Sequence, residues 1–126
     1  VEVILDTNAF SALAEGDPQI DRLTRYELPS ITAITLGEYQ FGVVGSTRRA
    51  KYEDWLEGIL DTIHVFEVSK ETARHYSAIR YELKRIGRPI PSNDLWIAAI
   101  VRERKETLVT RDGHFAAVPG IVVMSW

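Results

Sequence analysis

Five short, mostly apolar runs punctuate this chain at residues 1–5, 28–31, 64–68, 107–110 and 121–124. Each has the length of a buried strand, and most are rich in β-branched residues. Helical patterns separate them. Residues 9–15 read as a helix closed by Gly16, and Pro18 opens another short one. Thr35-Leu36-Gly37-Glu38 matches the capping-box pattern of Thr followed three residues later by Glu, for a helix reaching about Val44. In residues 47–63, Tyr52, Trp55, Leu56, Ile59, Leu60 and Ile63 recur at helical spacing. Ser69 caps a long helix to about Ile86 with Gly87 as its stop. Ser92-Asn93-Asp94 starts the next helix, whose body is residues 95–105. Strands that alternate with helices need crossover connections, so the expectation is an α/β fold with a central parallel sheet and helices on both faces.

A chain of 126 residues fits one domain with one core, residues 1–126. No repeat, low-complexity tract or Pro- or Ser-rich linker divides it. The longest uninterrupted apolar stretch, from Leu95 to Val101, is far below the ~20 residues that cross a bilayer. The first residues lack a basic region, and Glu2 and Asp6 interrupt their apolar run, so no secretory signal is read. The expectation is a cytoplasmic protein with no membrane partner. Cysteine is absent, which excludes disulfides and thiolate metal sites. The formal net charge of −3 argues against a simple nucleic-acid binder, which is usually basic. That objection weakens where several acids serve a bound cation, which reverses the local charge.

Four acids occupy informative places. Asp6 ends the first strand and Asp112 lies two residues past the fourth, while Glu38 and Asp94 sit in the first turns of two helices. In an open parallel sheet, ligands bind beyond the C-terminal strand ends, near the point where strand order reverses. Each acid also has a plainer reading. Asp6 or Asn8 caps a helix; Glu38 completes a capping box; Asp94 favours a helix's positive end; Asp112-Gly113 is a turn. Jointly they describe one negatively charged site. Carboxylates within about 4–6 Å of one another repel, and a divalent cation relieves that repulsion. Mg2+ and Mn2+ prefer oxygen donors. Such an ion makes water nucleophilic near neutral pH, and a second about 4 Å away stabilises the leaving oxygen of a phosphodiester. An all-carboxylate pocket with no organised histidine suits this chemistry better than zinc chemistry. His114 reads as incidental.

Ile4-Leu5-Asp6-Thr7-Asn8, then residues 35–42 (TLGEYQFG), 93–99 (NDLWIAA) and 109–115 (VTRDGHF), carry a family resemblance. The chain resembles a PIN domain along essentially its whole length, and within that family the VapC-type toxins of toxin–antitoxin pairs. The resemblance implies a PIN-like three-layer α/β/α domain with strand order 3-2-1-4-5. It implies a Mg2+- or Mn2+-dependent endoribonuclease that hydrolyses RNA, forms a homodimer and is inhibited by a cognate antitoxin. By motif match, Asp6, Glu38, Asp94 and Asp112 take the catalytic and metal-binding roles, with Asn8 and Thr110 as supporting polar groups.

Arg111, next to the proposed site, and Arg85 and Arg88, in a basic cluster with Arg80 and Lys84, are candidate substrate contacts. A solvated helix end is the plainer reading of that cluster. Trp55, Trp96 and Tyr76 fall on apolar helical faces and read as core or interface. Gly37 and Gly42, inside a helix, suggest close helix packing. Other functions stay open: a housekeeping PIN nuclease of RNA processing, or a non-catalytic α/β signalling or binding domain. A phosphoacceptor domain would want a lysine after the last strand, where Ser125-Trp126 stands, and an aspartyl phosphatase would want an Asp at Asn8.

Overall fold

The structure is a computed structural model and describes residues 2–126. Five strands form one parallel sheet: β1 (Glu2–Leu5), β2 (Leu28–Thr32), β3 (His64–Phe66), β4 (Thr107–Val109) and β5 (Val122–Met124), in the order β3-β2-β1-β4-β5. β1 lies at the centre. Ile4 pairs with Ser30 on one side and Leu108 on the other. The order reverses between β1 and β4, and their C-terminal ends form the switch point that an open parallel sheet offers to ligands.

Strand alternation divides the core in two. Val3, Leu5, Ile31 and Val109 face α1 (Thr7–Ala14), α2 (Pro18–Thr24), α3 (Ala33–Val44) and α4 (Arg49–Leu60), with Ala9, Phe10, Ile20 and Tyr39 filling that layer. Ile4, Leu108 and Phe66 face the opposite layer, built by α5 (Lys70–Arg85) and α6 (Ser92–Arg104) around Ile79, Leu83, Ile97 and Ile100. Trp55 joins Phe10 and Tyr39 in an aromatic trio with centroids 5.0–5.9 Å apart. Tyr76 and Trp96 stack at 4.0 Å between α5 and α6. These rings pack helices together, as their helical spacing suggested. Among the described residues, no helix is long and apolar enough to cross a membrane.

Two helix ends bear on the site. The chain leaves α5 through a Schellman turn: Gly87 adopts φ +69°, its N–H donates to the Lys84 carbonyl, and the Arg88 N–H donates to the Leu83 carbonyl. The turn redirects the chain through Pro89 to Pro91 into the start of α6. The start of α3 differs from expectation. Thr32, the last residue of β2, is the N-cap, and its hydroxyl accepts from the Thr35 N–H at 3.1 Å. Thr35 is therefore the third helical residue, and Glu38 falls one turn later. The capping-box pattern in the sequence points to Thr35 as the cap, and Thr32 stands three residues before it. The strand's direct run into the helix makes Thr32 the cap instead, which frees the Glu38 side chain from capping.

The remaining differences are small. Residues 67–69 lead extended into the Ser69 cap rather than prolonging β3, and α4 is shorter at both ends than its apolar pattern. A 3-10 helix, Gly113–Ala117, follows β4 where only a turn was expected.

Candidate metal centre

Asp6 continues β1 for one more rung, its N–H donating to the Val109 carbonyl at 3.1 Å, and then caps α1. It is 4 % exposed. One carboxylate oxygen accepts from the Ala9 N–H at 2.8 Å, and the other accepts from the buried Thr110 hydroxyl. Thr110 is placed by the same rule on the neighbouring strand, its N–H donating to the Met124 carbonyl. Its hydroxyl oxygen also accepts from the Asp112 N–H at 2.9 Å, so one side chain fixes two acids.

Asp112 is the N-cap of the 3-10 helix, one oxygen accepting from the His114 N–H at 2.9 Å. That cap folds the chain back and brings the His114 imidazole to Asp94. His114 Nδ1 lies 2.9 Å from Asp94 Oδ2 and 3.2 Å from Asp112 Oδ1. Asp94, Asp112 and His114 each offer a ligand atom, and these atoms all lie within 4.8 Å of one another. Asp94 is the third residue of α6, whose first turn has no side-chain cap, so its charge meets unopposed backbone N–H groups.

Glu38 reaches the same edge from α3. The Thr7 hydroxyl donates to one of its oxygens at 2.6 Å and the Asn93 amide to the other at 3.2 Å. Its two partners are thus the chain neighbours of Asp6 and Asp94. All four acids that the sequence singles out meet at the C-terminal edge of β1 and β4.

The electrostatics follow from this crowding. Burial is the main cause that raises the Asp6 pKa; the Thr110 and Ala9 hydrogen bonds oppose it, and the charges of Asp112 and Asp94 add to it. Asp94 is raised first by burial and then by Asp112 and Glu38, against the pull of His114. The His114 pKa is raised chiefly by its hydrogen bond to Asp94. Buried acids that resist ionisation beside one another suit a hard divalent cation. Asp94 and Asp112 each keep one oxygen with no hydrogen-bond partner among the described residues.

Three polar residues of this edge were not singled out by sequence: Thr7, Asn93 and His114. Their partners are 20 to 55 residues away in the chain, so only the fold reveals them. The reading of His114 as incidental, and of the pocket as lacking an organised histidine, is corrected by its contacts. The one local signal was Asp-Gly-His, in which a capping Asp turns the second residue after it back.

The other polar candidates lie elsewhere. Asn8 is exposed and makes no side-chain hydrogen bond to the acids; successive helical residues point about 100° apart, so Asn8 does not share the direction in which Thr7 meets Glu38. Arg111 sits between two residues that face the site and turns the other way, as extended backbone requires. Its guanidinium packs 4.2 Å from the Trp126 ring centroid and donates to the Trp126 backbone oxygen and Gln19. Arg85 and Arg88 are exposed at the end of α5 and beyond it, with no ion pair among the described residues.

Comparison with known proteins agrees with this geometry. The PIN domain family model matches residues 3–121. Ribonuclease VapC5 of Mycobacterium tuberculosis is 33% identical over 120 residues, spanning 93% of this chain and 87% of that protein. The tRNA(fMet)-specific endonuclease VapC of Salmonella typhimurium is 29% identical, spanning 100% and 98%. The crystal structure of VapBC2 from Rickettsia felis, bound to a DNA fragment from its promoter, contains a chain that superposes with a TM-score of 0.88 at 26% identity, covering 100% of this chain and 99% of that one. The sheet order, the acidic edge and these likenesses together place the chain in the PIN domain family, on its VapC branch.

Proposed function

We propose that this chain is a metal-dependent endoribonuclease, the toxin of a VapBC-type toxin–antitoxin pair, acting on RNA in the cytoplasm. The observation that carries the reading is the meeting of Asp6, Glu38, Asp94 and Asp112 at the sheet's switch point, with donor atoms of Asp94 and Asp112 within 4.8 Å of each other. The relatives named as VapC ribonucleases, and the VapBC complexes of the same fold, support it.

Asp94 and Asp112 would hold the ion, Mg2+ or Mn2+, with Asp6 and Glu38 completing the charge around it. Such an ion supplies the Lewis acidity that makes water nucleophilic near neutral pH and stabilises charge on a phosphodiester. The protein's part is positioning. The Ala9 N–H and the Thr110 hydroxyl hold the Asp6 carboxylate in one orientation. Thr7 and Asn93 hold Glu38 extended toward the same space. Each held oxygen keeps a further lone pair for a water or an ion. The exposed Arg85 and Arg88 are proposed to meet RNA phosphates, which offsets the acidic character of the site.

The test is induced expression of wild type, Asp6→Asn and Asp94→Asn, with new RNA 5′ ends mapped. The expected result is growth arrest and discrete new ends for the wild type only. Cleavage and arrest by either variant at the wild-type level would overturn the reading. Relief of arrest by a co-expressed partner encoded beside the chain separates a toxin from a housekeeping nuclease.

A further inference from the structure

We infer that His114 is a nitrogen ligand of the metal, and that it tilts the site toward Mn2+ over Mg2+. This rests on the proposed metal-dependent function and names one more residue in the same site.

His114 follows Asp112 by two residues, and the cap that Asp112 places on the 3-10 helix dictates where the ring goes. The ring enters between two acids of the site: Nδ1 is 2.9 Å from an Asp94 oxygen and 3.2 Å from an Asp112 oxygen. Neighbouring donor atoms on an octahedral ion with bonds of about 2.1 Å lie about 3 Å apart, by the geometry of a right-angled pair. The two distances from Nδ1 are therefore close to those of neighbouring donors around one ion, the Asp94 and Asp112 atoms lie within 4.8 Å of each other, and the ion would replace the proton that now lies between Nδ1 and Asp94. Half of the imidazole is exposed, so no packing against a core holds it there; its contacts with the two acids and the Asp112 cap do.

Ligand chemistry then distinguishes the ions. Both ions favour oxygen, but Mg2+ demands near-ideal octahedral oxygen coordination and keeps its waters, whereas Mn2+, a transition ion, tolerates an imidazole nitrogen better. A site of carboxylates alone would treat the two ions alike on this count. One imidazole among the carboxylates favours Mn2+, by a margin that its removal abolishes.

The experiment titrates wild type and His114→Ala with Mn2+ or Mg2+ chloride at constant ionic strength, following calorimetric heat and melting temperature. Electron spin echo measurements on the Mn2+ form report a directly bound nitrogen. Because the ring is exposed, the metal-free variant should melt near the wild type. The expected result is nitrogen coupling in the wild type and none in His114→Ala. The Mn2+ Kd should rise on the order of tenfold in the variant while the Mg2+ Kd changes much less. Absence of nitrogen coupling in the Mn2+-loaded wild type would overturn the inference. So would tighter Mn2+ binding by His114→Ala, which would mark the ring as a counter-ion that metal displaces. A wild type that binds neither ion would instead refute the metal site itself, whereas one that binds both without nitrogen coupling refutes only the role of His114.

Discussion

Asp6 and Asp94 both stand at helix starts on the same edge, yet their surroundings differ. Asp6 is buried, and both of its oxygens are engaged by an N–H and a hydroxyl of the protein. The Asp94 side chain is 19% exposed and meets only His114, leaving one oxygen without a partner among the described residues. The first is a fixed anchor that belongs to the fold as much as to the site. The second is a grip held open for something from solution. One side of the pocket is set when the sheet forms, and the other is where the proposed ion would bind.

That difference predicts how each half breaks. The largest effect falls on activity. Asp94→Asn and Asp6→Asn should each lower RNA cleavage by at least ~100-fold, as loss of a charge that stabilises a transition state does. Single-turnover cleavage of an RNA substrate would read this, and a loss below tenfold in both would refute the proposed roles.

Next comes Thr110→Val, which tests the anchor. It removes the hydroxyl that donates to Asp6 and accepts from the Asp112 N–H, with little change of volume. Leaving a buried carboxylate without this donor should cost about 1–3 kcal/mol. Denaturant unfolding of the metal-free protein should show it, and an unchanged midpoint would show that Asp6 is not held as described. The corresponding change on the open side, His114→Ala, should cost far less.

A third prediction concerns pH. Asp6, Asp94 and His114 all have raised pKa values in the folded chain. A raised folded pKa means that the native state binds protons more tightly than the unfolded chain. Its stabilisation is complete below the unfolded value and is lost as pH rises through the folded one. Without metal, stability should therefore fall as pH rises through the elevated carboxylate values and again through that of His114. Melting curves in chelator across this range measure it. Asp94→Asn should flatten the lower part of the fall and raise the metal-free melting temperature at neutral pH. A wild type whose stability rises with pH over the same range would contradict the electrostatic picture.

The smallest expected effect is at Arg111. Its guanidinium is engaged with Trp126 and Gln19, away from the acids. Arg111→Ala should leave the cleavage rate within about twofold and cost up to about 1 kcal/mol of stability. A large loss of cleavage with unchanged stability would return Arg111 to the substrate side.

Much of this was legible in the sequence because it depends on chain-local rules. Asp6 and Asp112 follow strands, Asp94 begins a helix, and a parallel sheet gathers such positions at one edge, whereas Glu38 lies a turn deeper in its helix than the sequence suggested. The strand order 3-2-1-4-5 came from the family resemblance, since periodicity cannot say which strands are neighbours. What stayed hidden was tertiary. Thr7 and Glu38 meet across 31 residues, and nothing in Asp6-Thr7-Asn8 says that the threonine, rather than the asparagine, turns inward. His114 was hidden for another reason: a five-residue 3-10 helix is too short to show a period. Arg111 was misplaced because proximity in sequence was taken for proximity in space, although alternation along extended backbone turns it away from Thr110 and Asp112.

Asp6, Glu38, Asp94 and Asp112 are proposed to form one site for a divalent cation. The melting temperatures of wild type and Asp94→Asn, each in chelator and in millimolar Mn2+ at neutral pH, decide whether that site binds the ion. An ion at about a hundred times its Kd stabilises the native state by roughly 2.7 kcal/mol, a shift on the order of 5–10 °C for a chain of this size. That shift is expected in the wild type, with its near-complete loss in Asp94→Asn. No shift in the wild type, or an equal shift in the variant, would contradict it.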